Sequence, residues 1–300
     1  MGKADLETRT INGVPLFQVG KVDDAKFSVP HVYAGRSQGL EQYSLIDRLH
    51  GSVHMGAGIC RLAPGGNTAS CVHANEKGVY VLSGELEMKR GSDAYRLVAD
   101  DYAFIPYGTA HALRNTSDRP ASWFEMQAPQ PKAPGGWQDT IFLDDAGWPG
   151  RIERPDLEDP RTQFLGHFKG QKPMIRDASG IRGLKVYRFM EREFGAHHFF
   201  MMRGELDVGG VRGRHDHAVE EIYYAIEGEA DIEMEGERYH LGPGHYAWTG
   251  VGTCHAFFQK GDVPFRWIET QAPQFPEQHA SRNYAAWEKL RARTKSKSPE

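Results

Sequence analysis

Arg214-His215-Asp216-His217-Ala218-Val219-Glu220-Glu221 sets two histidines one residue apart, with a carboxylate four residues after the second. In an extended strand alternate side chains share a face, so His215 and His217 point the same way. A third histidine, His255, arrives after the glycine-rich turn Gly250-Val251-Gly252. Three neutral imidazoles and one carboxylate on strands form a donor set for a single divalent ion. A lone histidine is more often a satisfied core residue; a spaced quartet points to metal.

Working outward, the same pattern recurs earlier in the chain. His73 and His217 lie 144 positions apart, and so do Gly84 and Gly228, His111 and His255, Trp123 and Trp267, and Glu125 and Glu269. The same shift carries Gln127-Ala128-Pro129-Gln130 onto Gln271-Ala272-Pro273-Gln274, and Tyr43, Arg48, Gly51 and His54 onto Tyr187, Arg192, Gly195 and His198. Roughly a third of the aligned positions are identical without a gap, which identifies two copies of one domain.

Each copy reads as short β runs divided by turn signals. Val53–Leu62, Gly78–Leu82, Leu86–Lys89, Tyr102–Ile105, His111–Asn115 and Ser122–Gln127 are the runs in the first. Breaks are expected at Pro64-Gly65-Gly66, Ser83-Gly84, Gly91-Ser92 and Tyr107-Gly108. This spacing suggests an all-β sandwich or barrel. The expected division is an N-terminal arm over 1–42 with one or two edge strands, a first domain over 43–130 and a second over 179–275. Between them, 131–178 is a Pro- and Gly-rich linker whose Trp137, Ile141, Phe142 and Trp148 should pack on the domains. In 276–300, Tyr284, Trp287 and Leu290 form an apolar stripe that predicts a short helix ahead of a charged tail.

The 300 residues suffice for two domains, and a net charge of −4 gives no sign of a nucleic-acid or membrane partner. Three cysteines without a CxxC pattern, and no apolar leader, point to a reducing cytoplasmic compartment. A small-molecule substrate is the expected partner.

Both halves resemble the cupin family, whose motifs are G-x5-H-x-H-x3/4-E-x6-G and G-x5-P-x-G-x2-H-x3-N. In the second half Gly209, His215, His217, Glu221 and Gly228 fit the first motif. Gly244, Gly252 and His255 fit the second, with Gly250 in place of proline and Gln259 in place of asparagine. The resemblance implies a bicupin: two all-β, double-stranded β-helix (jelly-roll) barrels in tandem, here with the short C-terminal helix added. It places the metal on His215, His217, Glu221 and His255, and a homodimer is expected from the same resemblance. The first half keeps Gly84, Pro106, Gly108 and Asn115 but carries Cys71, His73, Lys77 and His111 at the ligand positions. An ammonium beside two imidazoles disfavours a dication. A metal-free structural barrel is the expectation there, with Lys77 paired to Glu76 or holding an anion. Zinc on Cys71, His73 and His111 is the alternative.

The quartet leaves an octahedral ion two open positions, enough for substrate together with dioxygen or water. By strand alternation Tyr223 shares the face of Glu221, and Phe257 and Gln259 that of His255. Phe200 and Met202 share a face with His198. Candidate catalytic residues are His198, Tyr223 and Arg214, with His198 as readily structural because His54 repeats it. Arg212 and Arg214 are candidates to hold an anionic substrate, or simply strand charges facing solvent. Cys254 is expected to turn away from the metal into the core. The function expected is a non-haem Fe(II) dioxygenase cleaving a C–C bond of a small oxygenated or aromatic substrate. Two alternatives stand beside it: a redox-neutral Mn(II), Zn(II) or Ni(II) hydrolase, decarboxylase or isomerase, and a non-catalytic binding protein.

Overall fold

The structure, a computed structural model, describes residues 7–274 except 12, 134, 136, 137, 145, 146 and 151, together with the two-residue strand Arg282–Asn283. Nearly all regular structure is β, in one sheet system of twelve strands and another of eleven. In the first half Gly56–Thr68 pairs with Ala121–Ala128, which pairs with Glu76–Ser83, which pairs with Asp101–Ile105. The second half repeats this ladder with Phe200–Asp216, Phe265–Ala272, Glu220–Glu227 and His245–Thr249. The fold is two tandem jelly-roll barrels.

Each barrel depends on one strand long enough to serve both of its sheets. Pro64-Gly65-Gly66, expected to end a strand, instead lies inside the continuous Gly56–Thr68. Gly65 takes φ +73°, and Asn115 holds the kink by backbone bonds to Gly65 and Gly66. Gly209, also at φ +73°, does the same inside Phe200–Asp216, where its N–H donates to Oε1 of Gln259 at 2.7 Å. Glycine bears such an angle without steric cost, so the strand bends rather than breaks. Gln259 therefore substitutes for the motif's asparagine in the turn it holds: its Nε2 donates to Val263 O, as Asn115 Nδ2 donates to Arg119 O.

The arm and the linker exchange barrels. Val14–Lys21 of the arm pairs with His245–Thr249 of the second barrel, whereas Leu165–His167 of the linker pairs with Asp101–Ile105 of the first. Gly20 and Gly166 make equivalent close approaches: an added Cβ would stand 2.7 Å from the Tyr246 ring in one case and 2.1 Å from Tyr102 in the other. The linker also contributes Thr140–Phe142, which pairs with Cys71–His73. Arg114 lies over the ring of Trp148, 4.3 Å from its centroid. Ser37–Ile46 is one strand that runs across position 43. The expected helix at Tyr284, Trp287 and Leu290 lies outside the described residues, and Arg282–Asn283 pairs with His215–Asp216.

Two buried carboxylates clamp the barrels together. Glu76 accepts from the backbone N–H of His197 at 3.0 Å and of His198 at 2.9 Å. Its counterpart Glu220 accepts from Val53 N–H at 2.8 Å, His54 N–H at 3.3 Å and the Ser52 hydroxyl at 2.5 Å. Around these clamps the apolar cores merge: Phe189 stacks on Tyr102 (4.7 Å) and Tyr80 (5.5 Å), and Phe104 meets Phe199. The Glu76 pairing expected for Lys77 is thus corrected. Glu76 is occupied by the other barrel, and Lys77 turns into its own.

Candidate metal centre

His215 and Asp216 end the long strand Phe200–Asp216, Glu221 opens Glu220–Glu227 and His255 opens His255–Lys260. His215 and His255 face each other in register, so strand pairing alone brings two ligands together. The donor atoms of His215, His217 and His255 lie within 4.8 Å of one another. Glu221 joins them, with Oε1 3.3 Å from His217 Nε2 and Oε2 3.2 Å from His255 Nε2. His215 Nδ1 lies 2.8 Å from the Gly213 carbonyl and His255 Nδ1 2.9 Å from the Thr253 carbonyl. Those carbonyls can only accept, so Nδ1 carries the proton and Nε2 presents its lone pair to the centre.

The electrostatics favour a cation. Burial, followed by the neighbouring His255 charge, holds His215 well below the ordinary imidazole range; burial likewise brings His217 down to about 4. Both rings are therefore neutral acceptors near pH 7. Burial alone would raise Glu221, but His217, His255 and Tyr223 outweigh it and hold the carboxyl low. Burial and the charge of Glu221 push Tyr223 well above its usual range. Its hydroxyl stays protonated, donating to Glu221 Oε2 at 2.5 Å while lying 2.9 Å from His255 Nε2. The lone pairs of His215 and His255 and the Glu221 carboxylate thus converge on one point beside His217. Such a set fits a divalent ion held by His215, His217, Glu221 and His255.

Behind the ligands, Gln271 Nε2 donates to Glu221 Oε1 at 2.6 Å and to Glu269 Oε1 at 2.5 Å, and Trp267 Nε1 donates to Glu269 Oε2 at 2.8 Å. Burial, then the charge of Glu221, pushes the Glu269 carboxyl up to about 8. The first barrel repeats the frame, with Trp123 and Gln127 donating to Glu125 at 3.1 and 2.9 Å. There Lys77 replaces Glu221 and its Nζ lies 3.2 Å from Glu125. The substitution thus swaps a repelling carboxyl pair for a buried ion pair. Cys71, His73 and His111 still converge, with Sγ 3.7 and 3.9 Å from the two Nε2 atoms. The hydroxyl of Tyr33 inserts among them, 3.4 Å from Sγ and 3.3 Å from His73 Nε2.

A cavity of about 360 Å³ opens from the second-barrel ligands. Tyr223, Phe200, Met202, Phe257 and Trp267 line it, together with Glu269, Gln271 and three arginines. His198 is not on this wall; its ring faces Tyr107, and its backbone is held by Glu76. Arg214 is also elsewhere, with Nε donating to Glu233 at 2.5 Å. Alternation would put Arg212 and Arg214 on one face. The register slips between Arg212 and His215, however, so Arg212 joins the ligands and Arg214 turns outward. Cys254 turns away from the ligands, half-buried rather than in the core. Glu269 and Gln271 were missed as site residues, although the repeated Trp-x-Glu-x-Gln on an alternating strand was the signal for them.

The fold and the paired sites define a two-barrel cupin, and the chain belongs to the cupin superfamily as a bicupin. The cupin domain is matched twice, over residues 58–126 and 202–270, the same 144-residue offset. Quercetin 2,3-dioxygenase of Bacillus subtilis (strain 168) is 22% identical over 237 residues, covering 66% of this chain and 68% of that protein. Among solved structures, the formate complex of Lactobacillus farciminis oxalate decarboxylase superposes with a TM-score of 0.67 at 14% identity, covering 97% of this chain and 98% of that one. The Bacillus subtilis oxalate decarboxylase gives 0.65 at 15% identity, covering 92% and 82%.

Proposed function

We infer that the protein is a mononuclear metal-dependent bicupin enzyme whose second barrel carries the reaction, an Fe(II)-dependent oxygenative cleavage of a C–C bond in a small oxygenated or aromatic substrate. The observation that carries this reading is the convergence of His215, His217, Glu221 and His255 at the end of an aromatic-lined cavity. The match to a quercetin dioxygenase supports the oxygenase choice. When bound, the metal would supply Lewis-acid and redox activation of a substrate that chelates it.

The chain's own residues supply the rest. Phe200, Phe257 and Trp267 exclude water and seat an aromatic or enolic ring. Tyr223 keeps its proton and can donate to an oxygen of substrate brought beside Glu221. Gln271 fixes the Glu221 carboxylate and couples it to Glu269, which holds a proton near neutral pH within the cavity wall. His198 and Arg214 have no contact with the cavity that would give them a catalytic part. In the first barrel the Lys77–Glu125 pair and Tyr33 fill the corresponding space, so a single working centre per chain is proposed.

Metal analysis of protein purified without a histidine tag, followed by oxygen uptake with β-diketone, catechol-like and enol substrates, tests the reading. Iron-loaded protein that consumes no oxygen with any of them would sink the dioxygenase assignment. Glu269 favours the redox-neutral reading as second choice, because a buried carboxyl on the cavity wall is a group that isomerisation or decarboxylation can use to move a proton. Turnover that persists without oxygen would select it. A cytoplasmic homodimer completes the proposal, with light scattering reading the oligomeric state.

A further inference from the structure

The two barrels share a frame, so the differences between them on the cavity wall indicate what the second barrel accommodates. Phe200 and Met202 stand where the first barrel has Gly56 and Gly58, and Arg188 and Arg212 where it has Ser44 and Thr68. At these four wall positions, apolar bulk and positive charge occur only in the barrel that kept the carboxylate ligand. A core needs the first but not the second.

Three guanidinium groups, Arg176, Arg188 and Arg212, line one cavity of about 360 Å³ in a chain whose net charge is −4. The acid on the same wall, Glu269, accepts hydrogen bonds from Trp267 and Gln271. Arg188 is balanced by Glu191 at 3.0 Å and lies over the Phe200 ring. Arg176 makes no ion pair among the described residues. Strand register sets it near Arg212: Arg176 lies opposite Leu184, Arg212 lies opposite Ile181, and both belong to the neighbours of the strand Ile181–Met190. Arg212 is also opposite Phe257, which stacks on Trp267 at 5.5 Å with the rings 6° apart. Arg212 feels the acids Glu221 and Glu269 as well as the like charge of Arg176, and Arg176 brings further positive charge to the rim of the apolar slot.

We propose that the substrate is a small carboxylate with an aromatic or apolar body, its anion held by Arg176 and Arg212 and its body lying on Phe200, Phe257 and Trp267. This names the substrate class for the centre proposed above and rests on that reading for the chemistry alone; the anion site itself requires no metal. Planar guanidinium groups suit a carboxylate because each can donate two parallel hydrogen bonds to it.

Salicylate and salicylamide test the proposal, since they share shape and chelating atoms and differ in charge. Calorimetric titration of the full chain, once metal-loaded and once stripped by chelator, should show salicylate at least about tenfold tighter in both forms. Arg176→Met and Arg212→Met should each remove most of that preference while leaving metal content and the salicylamide affinity unchanged. Arg176→Lys should retain part of it. Arg238→Met, a change at a residue paired with Glu233 away from the cavity, should alter nothing. Arg176 lies half-exposed near the edge of its sheet, so its variants remain informative if Arg212→Met fails to fold. Equal affinities for the two probes, no binding of either up to about 10 mM, or a preference that vanishes on stripping would each overturn the proposal. A chain that binds no metal yet keeps the preference would instead refute the metal reading and leave the anion site standing.

Discussion

Replacing Glu76 by alanine should loosen the union of the two barrels without touching a proposed ligand. Its carboxylate is fully buried and accepts from the amides of His197 and His198 at 3.0 and 2.9 Å. A hydrogen bond to a charged group contributes about 1.5–3 kcal/mol, so two lost bonds set an upper bound of about 6 kcal/mol. Water can partly replace the carboxylate, because the side chain of His197 is exposed and that of His198 only half-buried. Losing a buried charge also returns some free energy. The net expectation is a destabilisation of about 3 kcal/mol, or about 5 °C in melting temperature for a cooperative unit of this size. Glu76→Gln keeps one carbonyl acceptor but turns an amide toward a donor, and should cost about half as much. Urea denaturation with tryptophan fluorescence and scanning calorimetry reads both variants. Glu76→Ala within about 0.5 kcal/mol of the parent would refute the clamp as a stabilising contact.

Lys77→Met should cost about 3–5 kcal/mol by leaving Glu125 buried and uncompensated, and Lys77→Met/Glu125→Gln should recover most of it. His215→Ala should weaken binding of the divalent ion by at least about 100-fold in calorimetric titration, and equal binding by parent and variant would remove the site assignment. Glu269 supplies a pH test in metal-stripped protein. Its folded pKa, about 8, lies above the ordinary carboxyl value, so its stabilisation is complete below about 4.5 and is lost as pH rises through 8. The melting temperature of the parent should therefore fall relative to that of Glu269→Gln between pH 5 and 9, and parallel curves would contradict the raised pKa. In the first barrel the sign is opposite. Burial, then Lys77, lowers His111 to about 3, so its contribution is present above about 6.5 and is lost as pH falls toward 3; His111→Asn should flatten that acid limb.

Duplication gives the chain two copies of one polar frame, which a single residue sets to different ends. Trp-x-Glu-x-Gln on Ala121–Ala128 and Phe265–Ala272 presents a buried carboxyl in each barrel. Opposite it, Lys77 closes an ion pair in one barrel, while Glu221 leaves surplus negative charge for a metal in the other. That contrast is legible in the sequence, because it lies in residue types at fixed spacing.

Sequence by itself determined the duplication, the all-β character and the four candidate ligands, since these depend on local periodicity and on glycines such as Gly84 and Gly228. At φ +74° and +71° these two leave no room for a side chain against Pro120 and Pro264. Tertiary structure alone decided three further matters. The arm crosses to the second barrel and the linker strand to the first, because strand exchange depends on which sheet edge lies near, not on chain order. Glu76 and Glu220 bind amides more than a hundred positions away, a partnership that no periodicity encodes. The slip in register between Arg212 and His215 brings Arg212 to the ligands' side, where strict alternation counted back from His215 would turn it away, and leaves Arg214 outside. A one-residue irregularity turns every later side chain to the other face, and only the pairing of the strands reveals where it falls.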